Sequence, residues 1–352
     1  MKSNSSIKII VLCCLLALNA CTEEKISITS NIHTFKSNKY HFGEDLNIEL
    51  NANVDLDSVV VKIGKNRFVG QQAIRLDSSK FKYGRNNLKQ FIYYKKEGSP
   101  RKKEFSSIIN IFPKQKMKSL EFEIINEYPH SKKSFTQGLQ FDSSQGNVLE
   151  GTGQYTESRL IRYKLGEQVV NQSVELEGHY FGEGITRFNR KIYQLTWKNK
   201  KGFIYDEETF EKLDEFVYPP QLNEGWGVTT DGKELIVSDG SSNLYFFNPT
   251  DWSKYQRKVE VISDEFVFGK LNELEYINGF IFANIWQEDI IVKINPKNGV
   301  VVGKIDLSEL CNKYRASGVL NGIAFMPENN TLLITGKYWP KLIELKLKSQ
   351  EI

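Results

Sequence analysis

A turn motif of glycine and polar residues recurs five times in the C-terminal two thirds of the chain. The copies read FTQGLQF, GEGITRF, NEGWGVT, LNELEYI and LNGIAFM, and they begin at Phe135, Gly182, Asn223, Leu271 and Leu320. Aligned on Gly138, Gly184, Gly225, Glu273 and Gly322, they lie 46, 41, 48 and 49 residues apart. One four-stranded blade of a β-propeller takes about 40 to 50 residues. The spacing therefore predicts an all-β protein whose main domain, over residues 119–352, is a five-bladed β-propeller.

Each copy of the motif opens a run of short strands separated by hairpin turns. Four of the five repeats contain four strands, whereas the fifth lacks the outer one. An unassigned strand, LEFEIINEYP at residues 120–129, precedes the first repeat. We expect this strand to complete the last blade, because closing the ring removes the exposed edges that an all-β protein must protect.

The region before the repeats also shows the two-residue alternation of strands, and no long amphipathic helix competes with it. Segments such as DLNIELNANV, SVVVKIG and SSIINIF are separated by turns. This pattern predicts a small immunoglobulin-like β-sandwich over residues 21–113. The segment PKQKMK at residues 113–118 is the predicted linker. No constellation in the sandwich indicates chemistry, so we expect it to be a spacer or docking module.

The N-terminus has the pattern of a secretory signal. Lys2 and Lys8 precede the apolar run IIVLCCLLAL, which leads into LNAC. The run is short for a membrane span and is followed by a small-residue cleavage site. We therefore predict a signal peptide over residues 1–20, with Cys21 as the lipidated first residue of a bacterial lipoprotein. The lipid would hold the protein at the cell envelope, in the periplasm or at the surface. The alternative is that IIVLCCLLALNAC forms a buried strand or helix.

Composition and missing motifs exclude several classes of function. The 352 residues carry a net charge of +4 with scattered lysines, so nucleic acid is not an expected partner. The sequence shows no convincing oligomer signal, so we expect a monomer. Once Cys21 carries lipid, Cys311 is the one cysteine left in the mature chain, which excludes a disulfide framework. The histidines are isolated, and HExxH, GxSxG and P-loop motifs are absent. Neither serine–histidine nor zinc chemistry is predicted, and no metal is assigned.

Blade geometry brings polar and aromatic residues of all five repeats to one mouth of the ring. Adjacent strands of a blade are antiparallel, so the start of each first strand and the end of each second strand share a face. The starts are Gln137, Glu183, Glu224, Asn272 with Glu273, and Asn321, and the ends are Glu150, Trp197, Asp239, Trp286 and Lys337, with Trp226 in the same layer. Varied side chains within a constant frame are typical of a site built on a scaffold, so we predict a pocket here.

Structural explanations remain open for several of these residues. Glu183 and Glu224 could cap backbone groups of the channel, and the tryptophans at the strand ends could pack between blades. Asp239 lies in a common turn sequence, SDGS, and Glu150 could be a surface charge.

The same stretches resemble those of the plant and bacterial glutaminyl-peptide cyclotransferases of the propeller type. The shared motifs are FTQGL, LEGTGQY, FGEGIT, YQLTWK, EGWGVTTDG, LIVSDGS, LNELEYI, FANIW, LNGIAF and TGKYWP, and they occur in order over residues 135–340. The resemblance leaves out the signal and the sandwich, and Gly151 stands where the family more usually has serine. It implies conversion of the N-terminal glutamine of peptides or proteins to pyroglutamate with loss of ammonia, without a required cofactor.

The resemblance also implies roles for the mouth residues. It assigns Glu150 as the catalytic group that carries a proton from the attacking α-amine to the departing ammonia. The implied substrate-binding residues are Phe135, Gln137, Trp197, Trp226, Trp286, Asn272, Asn321 and Lys337. The tryptophans would exclude water, and Gln137 and Asn321 would bind the carboxamide or the amine. Lys337 would stabilise the oxyanion or pair with a ring carboxylate.

Two other functions remain open from the sequence. One is a non-catalytic propeller at the cell surface that binds a peptide or glycan. The other is a lactonase-like hydrolase that uses calcium, with oxygen ligands from Glu183, Asp239 and Glu273. These three residues could instead hold a structural cation in the channel. The tryptophan-rich ring and the shared motifs favour the cyclotransferase.

Overall fold

The structure is a computed structural model of the 352-residue chain, and it describes residues 25–34 and 39–348. The predicted signal peptide over residues 1–20 and the predicted lipidation site Cys21 lie outside these ranges and stay predictions. Among the helices described, none has both the length and the apolar character needed to cross a bilayer. The helical elements are α1 (Asn31–Thr34), a 3₁₀ turn (Ser78–Lys80) and α2 (Ser308–Tyr314).

Eight strands before residue 113 form two sheets that share one apolar core. They are β1 (Ile28–Ser30), β2 (Lys39–His41), β3 (Asp45–Ala52), β4 (Leu56–Ile63), β5 (Asn66–Gly70), β6 (Ala73–Asp77), β7 (Gly84–Lys96) and β8 (Ser99–Phe112). One sheet has the order β1-β3-β6 and the other β2-β8-β7-β4-β5. Alternate side chains point inwards, so Leu88 and Ile92 of β7 are buried. They pack in one cluster with Ile48 and Leu76 of the smaller sheet, which makes this region a two-layered β-structure.

The later strands form five antiparallel sheets of four strands each. In the first four sheets the strands follow one another in the chain, whereas the fifth sheet includes one strand from before the first sheet. They are β9 (Lys118–Ser119), β10 (Phe122–Pro129), β11 (Thr136–Asp142), β12 (Asn147–Thr152), β13 (Arg159–Lys164), β14 (Val170–Glu175), β15 (Gly182–Phe188), β16 (Lys191–Thr196), β17 (Lys201–Asp206), β18 (Lys212–Val217), β19 (Val228–Thr230), β20 (Leu235–Ser238), β21 (Asn243–Phe247), β22 (Arg257–Glu260), β23 (Leu271–Ile277), β24 (Phe280–Ile285), β25 (Ile290–Ile294), β26 (Val301–Asp306), β27 (Leu320–Met326), β28 (Thr331–Gly336) and β29 (Lys341–Leu347). The sheet orders are β11-β12-β13-β14, β15-β16-β17-β18, β19-β20-β21-β22, β23-β24-β25-β26 and β10-β29-β28-β27, and β9 adds in parallel to β26.

The ring closes through a strand that comes from before the repeats. β10 pairs antiparallel with β29 and so becomes the outer strand of the fifth sheet. The innermost strands, β11, β15, β19, β23 and β27, contact one another in that order, and β27 contacts β11. Leu139 of the first sheet and Leu333 of the fifth belong to one buried cluster at this junction. The strand at residues 120–129 therefore fills the place that the fifth repeat leaves open, as the sequence predicts.

Helix α2 connects the fourth and fifth sheets, and the strand pattern did not anticipate it. Leu310, Cys311 and Tyr314 of this helix are buried against the fifth sheet, where the Tyr314 ring lies 4.9 Å from that of Trp339. Cys311 is a free, buried cysteine.

Glycines near the starts of the innermost strands let neighbouring sheets approach closely. At Gly227, a Cβ atom would lie 2.0 Å from the carbonyl oxygen of Asn272 in the next sheet. At Gly184, a Cβ atom would lie 2.7 Å from the Cα atom of Gly227. Non-bonded carbon atoms pack best at about 3.5 to 4.0 Å, so a side chain at either position would push the sheets apart.

We expect Gly227→Ala to lower the free energy of unfolding by about 1 to 3 kcal/mol, because the added methyl group overpacks the contact between the third and fourth sheets. In the matched variant Gly269→Ala, the added Cβ atom meets no heavy atom within 4 Å. Its free energy of unfolding should stay within about 0.5 kcal/mol of the parent. Urea unfolding measures both, and equal stability of the two variants would contradict the close approach.

Candidate active site

A cavity of about 290 Å³ opens at the face of the ring where the innermost strands begin. Its size lies near the lower end of the range for small-molecule sites. Its walls are formed by Phe135, Gln137, Gln154, Phe181, Glu183, Trp197, Trp226, Asn272, Trp286 and Lys337. Seven of these ten residues belong to the set predicted from the repeats, and an eighth, Phe135, was implied by the family resemblance. Gln154 and Phe181 were not predicted.

A break in strand pairing sets the second residue of four innermost strands apart from the ladder. In the first sheet the pairing skips Gln137, between Thr136 and Gly138. Such a bulge re-aims side chains and is common beside active sites. In the second, fourth and fifth sheets the pairing skips two residues, and the first of each two is Glu183, Asn272 and Asn321.

In each sheet, the residue that directly follows the second strand lies at the same face as the start of the innermost strand, and several of these residues supply the other part of the wall. Strand pairing makes the equivalent positions Gly153, Trp197, Asp239, Trp286 and Lys337. Of these, Trp197, Trp286 and Lys337 line the cavity. A Cβ atom on Gly153 would lie 2.4 Å from the Phe181 ring, so the glycine leaves room for that ring.

Glu150 does not lie at the mouth, and its predicted placement is wrong. Within β12 it occupies the position that Gln194 has in the second sheet. The equivalent of Trp197 is therefore Gly153, which lies three residues further along. The Glu150 side chain is fully buried and is not among the residues that line the cavity.

Two other predicted residues also lie away from the cavity wall. Asn321 is buried behind Gln137 and donates a hydrogen bond of 3.1 Å to its Oε1 atom. Asp239 forms the turn after β20, where its Oδ1 atom accepts a hydrogen bond of 3.1 Å from the backbone N–H of Ser241. Asn321 therefore supports the wall from behind. Asp239 forms a turn, which is the alternative that its SDGS sequence left open.

Glu273 caps backbone groups inside the ring. Its carboxylate accepts hydrogen bonds from the backbone N–H groups of Leu139, at 3.3 Å, and Ile323, at 2.8 Å. It thus ties the fourth sheet to the first and the fifth. Residues 25–34 and 39–348 contain no group of three or more His, Cys, Asp or Glu side chains that could hold a metal ion. A cation shared by Glu183, Asp239 and Glu273 therefore has no support in this geometry.

Two neighbouring carboxyl groups of the ring interior, Glu273 and Glu275, have raised pKa values. Burial raises the pKa of Glu273 well above its usual value, and the charge of Glu275 adds to the effect. Glu275 accepts a hydrogen bond of 3.2 Å from the backbone N–H of Phe325, and burial raises its pKa to about 8. The folded protein therefore keeps these protons at pH values where the unfolded chain has lost them.

One carboxylate fixes two of the three tryptophans in the wall. The indole N–H groups of Trp197 and Trp226 both donate to Oε2 of Glu224, at 2.7 and 2.8 Å. The rings of Trp226 and Trp286 meet edge to face with centroids 5.5 Å apart. Phe181 packs on Trp197 in the same way, also at 5.5 Å. The aromatic wall is therefore held rigidly before any ligand arrives.

Glu183 and Lys337 are the charged side chains among the lining residues, and both are buried. Burial raises the pKa of Glu183 well above its usual value, and the charge of Glu224 adds to this, although Lys337 and a hydrogen bond from Gln137 oppose it. Burial lowers the pKa of Lys337, against the attraction of Glu183. The Lys337 Nζ atom lies 4.5 Å from the centre of the Phe135 ring. These opposite shifts bring the proton affinities of the two side chains closer together than those of a free carboxyl group and a free amine.

Side-chain amides complete the polar part of the cavity. Asn321 holds the Gln137 amide from behind, and that amide in turn donates to the Glu183 carboxylate. Asn272 lines the wall, and its buried Oδ1 atom has no hydrogen-bond partner among the described residues. An unpaired buried acceptor is costly, so this oxygen is suited to a donor on a ligand, such as an amine or an amide N–H.

Gln154 and Phe181 were not predicted as wall residues. Glu224 was predicted at the mouth, but its role as the anchor of the tryptophans was not. Phe181 stands directly before the GEGITRF motif, and its side chain packs at the mouth because Gly153 leaves space. Gln154 follows that glycine and has a φ of 97°, in a region that favours glycine. Backbone strain of this kind concentrates at functional sites, but it leaves no signal in a single sequence.

The chain matches the family model described as glutamine cyclotransferase over residues 99–347. It is 38% identical over 233 residues to the glutaminyl-peptide cyclotransferase of Arabidopsis thaliana, an alignment that covers 65% of this chain and 72% of that protein. Its structure is similar to the crystal structure of Myxococcus xanthus glutaminyl cyclase, with a TM-score of 0.60 and 33% sequence identity. That superposition covers 66% of this chain and 98% of the Myxococcus chain.

The raised pKa of Glu275 predicts that the protein loses stability as the pH rises from about 4.5 to about 8. In this window the unfolded chain releases a proton that the folded protein keeps, which costs about 1.4 kcal/mol per pH unit for each such group. Glu275→Gln should make the unfolding free energy fall less steeply with pH in this window, because it removes the group that holds the proton. Urea titration at several pH values measures this slope. Glu328→Gln changes an exposed carboxylate and should leave the slope unchanged. A slope unaffected by Glu275→Gln would contradict the raised pKa.

Proposed function

The chain belongs to the glutamine cyclotransferase family, and we propose that its cavity converts the N-terminal glutamine of a peptide or protein into pyroglutamate with release of ammonia. One observation carries the proposal. A single buried carboxylate, Glu183, faces a buried lysine, Lys337, inside a cavity walled by three tryptophans. The lining residues offer no hydroxyl, thiol or imidazole group. This suits a reaction in which the substrate supplies its own nucleophile.

The walls would hold the glutamine side chain folded back on its own α-amine. The rigid tryptophans exclude water and favour a compact conformer, and such positioning lowers the barrier to an intramolecular reaction strongly. The unpaired Oδ1 atom of Asn272 would accept a hydrogen bond from the amine or the carboxamide. The Gln137 amide, fixed by Asn321, would help to orient the reacting carboxyl group of Glu183.

Glu183 would move the proton that the reaction must transfer. The neutral α-amine attacks the carboxamide carbon, a new C–N bond forms, and the ionised Glu183 carboxylate takes a proton from the attacking nitrogen. The same carboxyl group then gives that proton to the departing nitrogen as the old C–N bond breaks, which releases ammonia. Lys337 would stabilise the negative charge on the oxygen of the tetrahedral intermediate. A carboxyl group with a raised pKa is suited to both transfers.

Glu183 replaces Glu150 in this role because Glu150 has no access to the cavity. Both oxygens of Glu150 already accept hydrogen bonds inside the protein, from Thr136 and Tyr163. Glu183 is the carboxylate among the residues that line the wall.

The finer features of the fold belong to the same proposal. We interpret the five sheets as the blades of a closed five-bladed β-propeller over residues 119–352, and the two-layered region over residues 21–113 as an immunoglobulin-like spacer. Lipid on Cys21 would anchor a monomeric protein at the cell envelope, where it would act on exported peptides.

The test is ammonia release from a short peptide that begins with glutamine. Glu183→Gln keeps the shape of the side chain but cannot carry the proton, so kcat should fall by at least about 100-fold. A peptide with a blocked α-amine should release no ammonia with either protein, because its nucleophile is lost.

The matched control is Glu328→Gln, which removes one exposed carboxylate from the turn between β27 and β28, at the other end of the strands. It should keep full turnover. A Glu183→Gln variant within about 10-fold of the parent would contradict the assignment of the shuttle, since a general base contributes more than that. A folded parent protein that releases no ammonia would favour the binding propeller instead.

A further inference from the structure

A second cluster of ionisable side chains is buried beneath the cavity, at the junction of the first and last sheets. The Nε2 atom of His130 lies 3.2 Å from Oε2 of Glu150. Glu150 also accepts hydrogen bonds from the hydroxyl groups of Thr136, at 2.7 Å, and Tyr163, at 3.0 Å. The Nδ1 atom of His130 lies 2.7 Å from the carbonyl oxygen of Trp339. We call His130, Glu150, Thr136 and the Trp339 carbonyl the ring clasp.

The hydrogen-bond partners fix the charge of the ring clasp. A backbone carbonyl can only accept, so His130 must donate from Nδ1. The carboxylate at Nε2 already has hydroxyl donors on both oxygens, so Nε2 also donates, and the imidazole carries its positive charge. Burial opposes that charge, but the attraction of Glu150, its hydrogen bond and the hydrogen bond to the Trp339 carbonyl together raise the pKa of His130. Burial likewise opposes ionisation of Glu150, but His130 and the two hydroxyl groups lower its pKa.

Each end of the ring clasp leads directly to a residue of the cavity wall. Thr136 stands between Phe135 and Gln137, and its carbonyl oxygen accepts a hydrogen bond of 2.9 Å from Asn321. On the other side, the carbonyl held by His130 belongs to the turn that carries Lys337. The ion pair therefore ties the entry of the first sheet to the lysine-bearing turn of the fifth.

A second line of contacts runs parallel to the ring clasp and closer to the cavity. The backbone N–H of Tyr338 donates to the carbonyl oxygen of Ser134, at 2.8 Å. The Phe135 ring packs edge to face on Tyr338, with centroids 5.2 Å apart. Lys337 lies over the same Phe135 ring. The position of the lysine thus depends on how the first and fifth sheets are locked together.

We propose that His130 and Glu150 are positioning residues, and that their buried ion pair sets Lys337 against Gln137 and Glu183 across the cavity. This rests on the proposed cyclotransferase reaction, since Lys337 has no other assigned role. Neither residue touches the substrate. The oxyanion that Lys337 would stabilise exists only after the amine has attacked, so loss of the ring clasp should lower kcat and leave KM nearly unchanged.

The first test is Glu150→Gln, assayed by ammonia release from a glutamine peptide at a temperature where the variant is fully folded. We expect kcat to fall about 10- to 100-fold, with KM within about threefold of the parent. His130→Gln should have a similar effect. The double variant should be little worse than either single one, because both changes remove the same interaction.

Glu344→Gln is the matched control for loss of a buried carboxylate. Glu344 lies in the same fifth sheet and is fully buried, and it accepts hydrogen bonds from Thr331, Tyr128, Asn126 and Asn329. Its pairing with the start of β28 puts it at the end of the sheet away from the cavity. The Glu344→Gln variant should lower the unfolding midpoint as Glu150→Gln does, but it should keep the kcat of the folded parent protein.

A gentler pair of variants covers the case in which Glu150→Gln fails to fold. Thr136→Val and Tyr163→Phe each remove one hydroxyl donor to Glu150, but only Thr136 leads to the cavity wall. We expect a several-fold loss of kcat for Thr136→Val and no loss for Tyr163→Phe.

Three results would overturn the proposal. Glu150→Gln could keep the parent kcat while its unfolding midpoint falls, as for Glu344→Gln, which would make the ring clasp purely structural. Thr136→Val and Tyr163→Phe could have equal effects on kcat. Glu150→Gln could also abolish turnover while Glu183→Gln keeps it, which would return the proton shuttle to Glu150 and contradict the proposed function as well. A dead Glu183→Gln variant beside a normal Glu150→Gln variant would reject the positioning role alone.

Discussion

Pairing of β10 with β29 is the contact on which the rest of the structure depends. Without it, the fifth sheet would end at an open edge with unpaired backbone groups, and the first and last sheets would not be held together. The strand comes from before the first repeat, so a segment remote in sequence from the fifth repeat determines whether the ring is closed. The cavity needs that closure, because its wall combines Gln137 of the first sheet with Lys337 of the fifth.

Closure also explains why the junction contains a buried ion pair rather than apolar side chains alone. An apolar contact, such as that between Leu139 and Leu333, resists separation of the sheets but tolerates sliding. The His130–Glu150 pair has directional hydrogen bonds at both ends, so it fixes one relative position. Uncompensated buried charge is costly, which makes any other arrangement of the junction unfavourable.

Periodicity in the sequence predicted the sheets, the closing strand and most of the wall, because apolar alternation and turn residues directly reflect burial. It located Trp197, Trp286 and Lys337, each of which directly follows its second strand. It misplaced Glu150, because the correct equivalent, Gly153, has no side chain to mark it. Deciding between the two requires the strand pairing and the bulge at Gln137, which depend on contacts between distant segments.

Glu150 and Glu183 show why a sequence cannot assign chemistry to a buried carboxylate. Burial raises the pKa of both, but at Glu150 an imidazolium and two hydroxyl groups reverse the effect. At Glu183 the lysine and the Gln137 amide oppose burial without overcoming it. The pKa of the first group is therefore lowered and that of the second is raised, and a raised pKa suits a carboxyl group that must carry a proton. Their partners lie 20 and 154 residues away in the chain, His130 for Glu150 and Lys337 for Glu183, so only the closed fold distinguishes them.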